Sequence, residues 1–244
     1  MEQMPSNSPN MESKSGLAGW FPVWFNAVTQ PNEQTFVDIT EHRDVSSRTA
    51  YIWVFIAGTI SGILQAIATT IRMATGAGLA FQQLLGMEEY FPQFGGVTGI
   101  SLIGGVCLSP IAGLISVVLF ALITAVIQWI TKLFGGTGTY EKLLYAFAAI
   151  TVPFTLVTSL LTLFGVIPFV GICFVILSLG FGVYAIVLLV IAVKGVNRFG
   201  WGQATGSVFI PGFVVLILSA CVVIVGLMVL GPVIGKIFEQ INAP

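Results

Sequence analysis

Side chains able to perform acid–base, nucleophilic or metal chemistry are few in this chain and lie far apart. The single histidine, His42, lies between Glu41 and Arg43 in a polar segment and has no catalytic partner at a recognisable spacing. We interpret it as a solvated surface residue. The adjacent Glu88 and Glu89 resemble the paired carboxylates of a hydrolase only in type, and we interpret them as a solvated loop tip.

The cysteines and the known catalytic motifs lead to the same result. Cys107, Cys173 and Cys221 are odd in number, distant and embedded in apolar sequence, so we interpret them as small packing residues. The chain contains no HExxH, GxSxG, phosphate-binding or dinucleotide-binding motif. No apolar segment contains a histidine that could hold a haem. The sequence therefore predicts no catalytic residue, no cofactor and no metal site.

Composition explains why polar chemistry is so sparse. Hydrophobic residues make up 56% of the chain and charged residues 8%, and the mean hydropathy is +0.99. A water-exposed surface cannot be built from so few charges, so the sequence predicts a protein embedded in a lipid bilayer. The nine Lys and Arg residues are scattered and form no patch, which excludes nucleic acid as a partner.

Five segments each contain about 20 consecutive uncharged residues, enough to cross a hydrocarbon core of about 30 Å. They predict an all-α membrane protein, a bundle of five transmembrane helices at residues 49–71, 109–133, 140–164, 168–193 and 208–234. Residues 1–15 are predicted to be a disordered cytoplasmic tail, 16–48 an interfacial or juxtamembrane segment, 49–236 the membrane domain and 237–244 a C-terminal tail.

The predicted helix ends rest on local signals. Pro110 suits the first turn of the second span, and Thr139 suits an N-cap for the third. Lys194 and Gly195 are expected to end the fourth span, with a polar loop at 197–207 before the fifth. The apolar, glycine-rich stretch 95–107 would make the second span too long, so we expect it to be a separate re-entrant or interfacial piece.

Positive charge near the span ends predicts the orientation, because Lys and Arg accumulate on the cytoplasmic side. One predicted side contains six basic residues and the other contains only Arg72 and Lys236. The six are Arg43, Arg48, Lys132, Lys142, Lys194 and Arg198. This asymmetry predicts a cytoplasmic N-terminus, and five crossings then place the C-terminus outside.

Aromatic residues before the first span predict contact with the membrane surface. Trp20, Phe21, Trp24 and Phe25 recur at spacings that gather on one helical face. That face is predicted to lie in the bilayer interface as an anchor, and a helix that docks a specific partner is the alternative.

Small residues at steps of four predict close helix packing within the spans. The first span has Gly58, Gly62 and Ala66, the fourth Ser178 and Gly182, and the fifth Gly231 and Gly235. Packing within the chain is the main interpretation of these residues, and homodimerisation is the alternative.

The third span has five hydroxyl side chains on about one third of its circumference: Thr151, Thr155, Thr158, Ser159 and Thr162. Hydroxyls can bond to their own helix, so a dry packed interface is the first interpretation and a hydrated cavity is the alternative.

Two blocks of sequence resemble a known family. The first is VTQPNEQTF followed by YIWVFIAGTISGIL, and the second runs from Ser109 to Pro153 and includes Gly135-Gly136 between the second and third spans. Both resemble the bacterial and archaeal branch of the Yip domain family, which implies a five-helix membrane protein with a cytoplasmic N-terminus. Eukaryotic members are named for interaction with Ypt and Rab GTPases, but their Asp-Tyr-Gly-Pro type motif is absent here. That absence argues against a Rab-type GTPase as partner and favours a prokaryotic cell membrane.

The resemblance and the absence of chemistry together predict a non-catalytic scaffold or adaptor that organises other membrane proteins or lipid. The alternative function is a channel or facilitator for a small neutral or weakly polar solute. An intramembrane enzyme would need a nucleophile or base, and the spans offer no candidate.

Overall fold

The described part of the protein is entirely helical in its regular structure. The computed structural model describes residues 17–41, 45–75, 98–165, 167, 170–214, 217, 220 and 221. The helices are α1 (Leu17–Thr29), α2 (Glu33–Glu41), α3 (Ser47–Thr75), α4 (Thr98–Leu133), α5 (Tyr140–Phe164), α6 (Val170–Asn197) and α7 (201–214).

Four of these helices contain stretches long and apolar enough to cross a membrane. They are Ser47–Thr75, Leu102–Leu133, Tyr140–Phe164 and Cys173–Asn197. The protein is therefore a multi-pass, all-α membrane protein in contact with the lipid bilayer. The fifth predicted span, 208–234, begins within α7 and otherwise falls largely outside the described residues.

Contacts between the spans give their directions. The hydroxyls of Ser61 in α3 and Ser159 in α5 lie 2.6 Å apart, and the Ser47 amide donates to the Glu141 carboxylate at 3.0 Å, so α3 and α5 run parallel. Helix α4 runs antiparallel to α3, since Gly58 lies against Gly113 and the later Ala66 lies against the earlier Gly105. Helices α5 and α6 are also antiparallel, since Phe154 lies against Phe181 and the later Phe164 lies against the earlier Phe174.

This arrangement places the start of α3, the end of α4, the start of α5 and the end of α6 at the same end of the bundle. We call it the charged end. It contains Arg48, Lys132, Lys142, Lys194 and Arg198, five of the six basic residues that were predicted to share one side; Arg43 lies outside the described residues.

Helix α5 forms the centre of the bundle. Leu143, Leu144 and Ile150 are fully buried, and the alanines between them let neighbouring backbones approach. Helices α1, α2, α3, α4 and α6 all pack against α5. In its first half, Leu143–Ile150, every residue is buried, so this part of the helix is surrounded by the bundle on all sides. Thr139 is its N-cap, and its hydroxyl accepts a hydrogen bond from the Lys142 amide, which confirms the predicted cap.

The separate piece predicted at 95–107 is wrong from Thr98 onward, because α4 is one continuous helix. Pro110 lies inside this helix and not in its first turn. Proline has no N–H to bond the carbonyl four residues earlier, that of Val106, but the Ser109 hydroxyl donates to this carbonyl at 2.7 Å. The helix thus passes the proline with that carbonyl satisfied, and its 36 residues span about 54 Å.

The predicted boundary between the fourth and fifth spans is also wrong. Helix α6 continues through Gly195 to Asn197 and ends where Arg198 adopts a positive φ of 54°. Helix α7 then begins at 201, inside the predicted loop. The Gln203 side chain accepts a hydrogen bond from the Gly200 amide at 3.1 Å, which is half of a capping box and explains the early start.

Candidate functional site at the charged end

Helix α2 is fixed to α6 at the charged end. The Lys194 ammonium forms an ion pair with the Glu33 carboxylate. A Cβ atom on Gly195 would lie 3.0 Å from the Glu33 carbonyl oxygen, so the two backbones are in close contact. Phe36 and Ile39 are buried on the same helix. Gly195 therefore allows α2 to pack closely against α6.

Two further interactions involve the charged residues at the contact between α2 and α6. The Lys194 ammonium lies 4.6 Å from the centroid of the Trp201 ring, so it joins α2, α6 and α7. The Arg198 guanidinium donates to the Glu41 carboxylate at 3.0 Å, but both side chains are about half exposed or more. Water and salt weaken such exposed pairs. Lys194 is therefore the main electrostatic anchor of α2.

Helix α1 packs beside α5 through a group of aromatic rings. The Trp53 ring lies 5.9 Å from Trp20, 5.5 Å from Trp24 and 4.9 Å from Tyr145, measured between centroids. Trp53 is only 1% exposed. At the other end of α1, the Tyr184 hydroxyl donates to the Val28 carbonyl at 2.8 Å. Helix α1 is thus attached to α3, α5 and α6 by specific contacts.

The four residues predicted to form one membrane-facing surface are divided between two surroundings. Trp20 and Trp24 face the bundle, whereas Phe21 and Phe25 are 67% and 56% exposed and stack on each other with centroids 6.2 Å apart. At 100° per residue the four side chains cover an arc of about 140°, which is wide enough for one edge to pack and the other to point outward. The predicted face is therefore shared between the bundle and the outside, and its contact with the bilayer interface stays a prediction.

The loop between α4 and α5 is locked onto the end of α6. The Gln128 amide donates to the Gly138 carbonyl at 2.8 Å, and the Thr137 amide donates to the Asn197 carbonyl at 3.2 Å. A Cβ atom on Gly138 would lie 2.7 Å from the Val196 carbonyl oxygen, too close for any other residue type. Glycine in this loop thus allows a close backbone contact.

The predicted packing residues of α3 lie against α4. A Cβ atom on Gly58 would lie 3.2 Å from the Gly113 Cα, and a Cβ atom on Gly105 would lie 2.6 Å from the Ala66 Cβ. In α6, Ser178 is half-buried, but within the described residues nothing lies within 4 Å of a Cβ atom on Gly182. Gly231 and Gly235 lie outside the described residues, so packing in the fifth span stays a prediction.

The hydroxyl stripe of α5 is turned toward its own helix and toward α3. Ser159 is 3% exposed and bonds to Ser61 and to the Thr155 carbonyl, each at 2.6 Å. The Thr158 hydroxyl donates to the Phe154 carbonyl at 2.7 Å. The other stripe members, Thr151, Thr155 and Thr162, are half-buried.

Chemistry-bearing groups do not converge in the described ranges. No cluster of three or more His, Cys, Asp or Glu residues that could hold a metal ion occurs there. Cys107, Cys173 and Cys221 are free and exposed among the described residues, and their role as small packing residues stays a prediction. His42, Glu88 and Glu89 lie outside the described residues.

Sequence reasoning missed the residues that organise the charged end. Glu33, Lys194, Gln128 and Asn197 were not predicted to interact. The sequence did contain a signal that α2 carries an interacting surface. Charged residues are few in this chain, and Glu33 and Glu41 are eight residues apart, so they lie on neighbouring parts of the surface of one helix. Their partners in α6 could not be identified from sequence spacing.

Comparison with known proteins returns one match. The family model described as the Yip1 domain matches residues 25–233, a range that includes α2, all four described spans and the charged end. This confirms the resemblance found in the sequence. No curated protein and no solved structure matches the chain significantly.

Proposed function

The chain belongs to the Yip1 domain family, and we propose that it acts as a non-catalytic scaffold or adaptor in the membrane. In this role it organises other membrane proteins or lipid and carries out no reaction of its own. Its partners are membrane proteins, a second copy of the chain being one candidate. A Rab-type GTPase is not among them.

One observation carries this proposal: several hydroxyls in the described spans are bonded to carbonyls of their own helix, and Ser159 is also bonded to a neighbouring helix. Thr124 donates to the Phe120 carbonyl at 2.8 Å, and Thr162 donates to the Ser159 carbonyl at 2.6 Å. Ser159 bonds across the helix contact to Ser61. A solute path needs polar groups that are free to bind the solute, whereas these groups are already bonded within the protein.

The same proposal includes a topology. Residues 16–48 form the juxtamembrane segment, and 49–236 form a membrane domain that crosses the bilayer five times, the fifth time near 208–234. The charged end faces the cytoplasm of a prokaryotic cell, which places the N-terminus inside and the C-terminal tail, 237–244, outside. The positive charges gathered at this end support that orientation.

Crosslinking in native membranes followed by mass spectrometry tests the scaffold role. A photoreactive residue at Leu119, which is exposed on α4, would capture a neighbouring membrane protein, and the same residue at the buried Leu144 would serve as control. We expect specific protein adducts at Leu119 and none at Leu144. If the photoreactive residue formed adducts only with lipid, both at Leu119 and at the other exposed positions of α4, an adaptor role toward proteins would be contradicted.

The alternative, a facilitator for a small neutral solute, is favoured by the half-buried Thr155, Thr158 and Thr162 on α5. Purified protein in sealed vesicles would then accelerate the entry of solutes such as glycerol or urea. Entry at the rate of protein-free vesicles is expected if the protein is a scaffold.

A further inference from the structure

We propose that α1 is inserted into the hydrocarbon of a single leaflet, below the charged end, and that Phe21 and Phe25 contact the acyl chains of that leaflet. This goes beyond the scaffold role, because it assigns a lipid-binding surface to a segment that does not span the membrane. It also differs from an anchor that lies at the interface.

The aromatic contacts of α1 give its depth at one end. Trp53 lies six residues after the start of α3 at Ser47, which corresponds to about 9 Å along the helix axis. Tyr145 lies five residues after Tyr140, or about 7.5 Å into α5. Because Trp20 and Trp24 contact the Trp53 ring, this end of α1 is held below the first turns of both spans.

The C-terminal end of α1 also lies below the charged end. The Val28 carbonyl is bonded to the hydroxyl of Tyr184, whose backbone lies about 20 Å from the end of α6 at Asn197. A tyrosine side chain covers only part of this distance, so Val28 also lies below the charged end. The chain then returns to that end, where Glu33 meets Lys194.

The chemistry of α1 fits an apolar environment at this depth. No charged residue occurs between Lys14 and Glu33. Phe21 and Phe25 are exposed on the side of α1 that faces away from the bundle. The exposed Val126 of α4 lies at a comparable depth, about 10 Å from the end of its helix, and is part of the apolar surface of a membrane span. The exposed side of α1 therefore lies at the depth of the apolar, lipid-facing surface of the spans.

Insertion into one leaflet has a mechanical consequence. A helix that occupies space in a single leaflet widens that leaflet relative to the other, and such helices respond to curvature and to lipid packing. Helix α1 thus gives the protein a means to sense or impose leaflet asymmetry. Its contacts with Trp53 and Tyr184 connect any displacement of α1 to the spanning helices α3 and α6.

Spin labelling in lipid measures the depth directly. The full chain, with its three cysteines replaced by alanine, would receive a single nitroxide at Phe21→Cys or Phe25→Cys and be reconstituted in phosphatidylcholine vesicles. Collisions with oxygen, which concentrates in hydrocarbon, are compared with collisions with a water-soluble nickel chelate. Asp38→Cys on α2 is the aqueous reference, and Leu114→Cys on α4 is the lipid reference.

We expect both α1 labels to resemble the label at 114, with high oxygen and low nickel accessibility. Nickel accessibility equal to that at 38 would place α1 in water and overturn the proposal. Low accessibility to both reagents would mean that a second copy or another part of the chain covers the face, and would also overturn it. A labelled Val23→Cys, on the half-buried side of α1, shows what a packed site looks like in the same measurement.

Discussion

Lys194 and Glu33 are separated by most of the described chain, yet they form an ion pair that fixes α2 against the end of α6. The ammonium also lies over the Trp201 ring. One cation thus connects the segment before the first span with the segment after the fourth. Its side chain is 19% exposed, so the interaction is partly shielded from water and salt.

Glu33→Gln should loosen α2, because it removes the charge that pairs with Lys194. The Glu33 side chain is 40% exposed, so we expect a loss of roughly 1–2 kcal/mol of stability, measured as a lower Tm in detergent. The matched control is Glu41→Gln, whose pair with Arg198 is more exposed and should contribute less than about 1 kcal/mol. Equal effects of the two substitutions would show that burial of Lys194 is unimportant.

Gly58→Ile should separate α3 from α4. A Cβ atom there would already lie 3.2 Å from the Gly113 Cα, so the larger side chain forces the backbones apart, at a cost of roughly 1–3 kcal/mol. The lost contact cannot be regained from lipid. Thermal unfolding in detergent measures the effect, and Gly180→Ile, at a position with nothing within 4 Å in the described residues, is the control. Unchanged stability of Gly58→Ile would refute close packing at this site.

Gly138→Ala should disrupt the loop that joins α4 and α5. The added methyl group would lie 2.7 Å from the Val196 carbonyl oxygen, a backbone atom that cannot rotate away. We expect a destabilisation of about 1–3 kcal/mol and faster proteolysis at Lys132 or Lys142. Gly202→Ala adds its methyl group in open space among the described residues, so it should leave both the stability and the rate of proteolysis unchanged. Wild-type proteolysis in the Gly138→Ala variant would mean that the loop adjusts without cost.

Cysteine labelling separates the scaffold from the facilitator. Single cysteines at Thr155, Thr158 and Thr162, in a background without other cysteines, should not react with a membrane-impermeant thiol reagent if α5 is packed, because thiolate formation needs water. Leu160→Cys, at an exposed apolar position, serves as the lipid-facing control. Rapid labelling at all three stripe positions, with the control silent, would support a hydrated path.

Reporter fusions test the proposed topology. A reporter that is active only in the cytoplasm should work at the N-terminus or within 134–139, and should fail when fused after Pro244. The loop fusion is the internal control, since 134–139 lies at the charged end together with the start of α3. Activity after Pro244 would contradict five crossings.

Local sequence signals predicted α5 well. Its bounds coincide with the third predicted span because Thr139 provides the cap and the following residues are uniformly apolar. The same reasoning failed at Pro110 and Gly195, which have strong helix-ending preferences as isolated residues. In the structure the Ser109 hydroxyl satisfies the carbonyl left free by Pro110, and Gly195 accommodates the Glu33 backbone. The first compensation is local, since Ser109 directly precedes Pro110, whereas the second depends on Glu33, which is distant in the chain and which a local pattern does not reveal.

The sequence by itself determined the class of the protein, the approximate positions of the four described spans and its family, because hydrophobic length and family motifs are properties of contiguous residues. Only the tertiary structure decided that Trp20 and Trp24 face inward while Phe21 and Phe25 face outward, and that Lys194 pairs with Glu33. The physical reason is that helical periodicity fixes which residues share a face but not what that face meets. Partners distant in the chain are selected by the packing of all the helices together, which local spacing cannot specify.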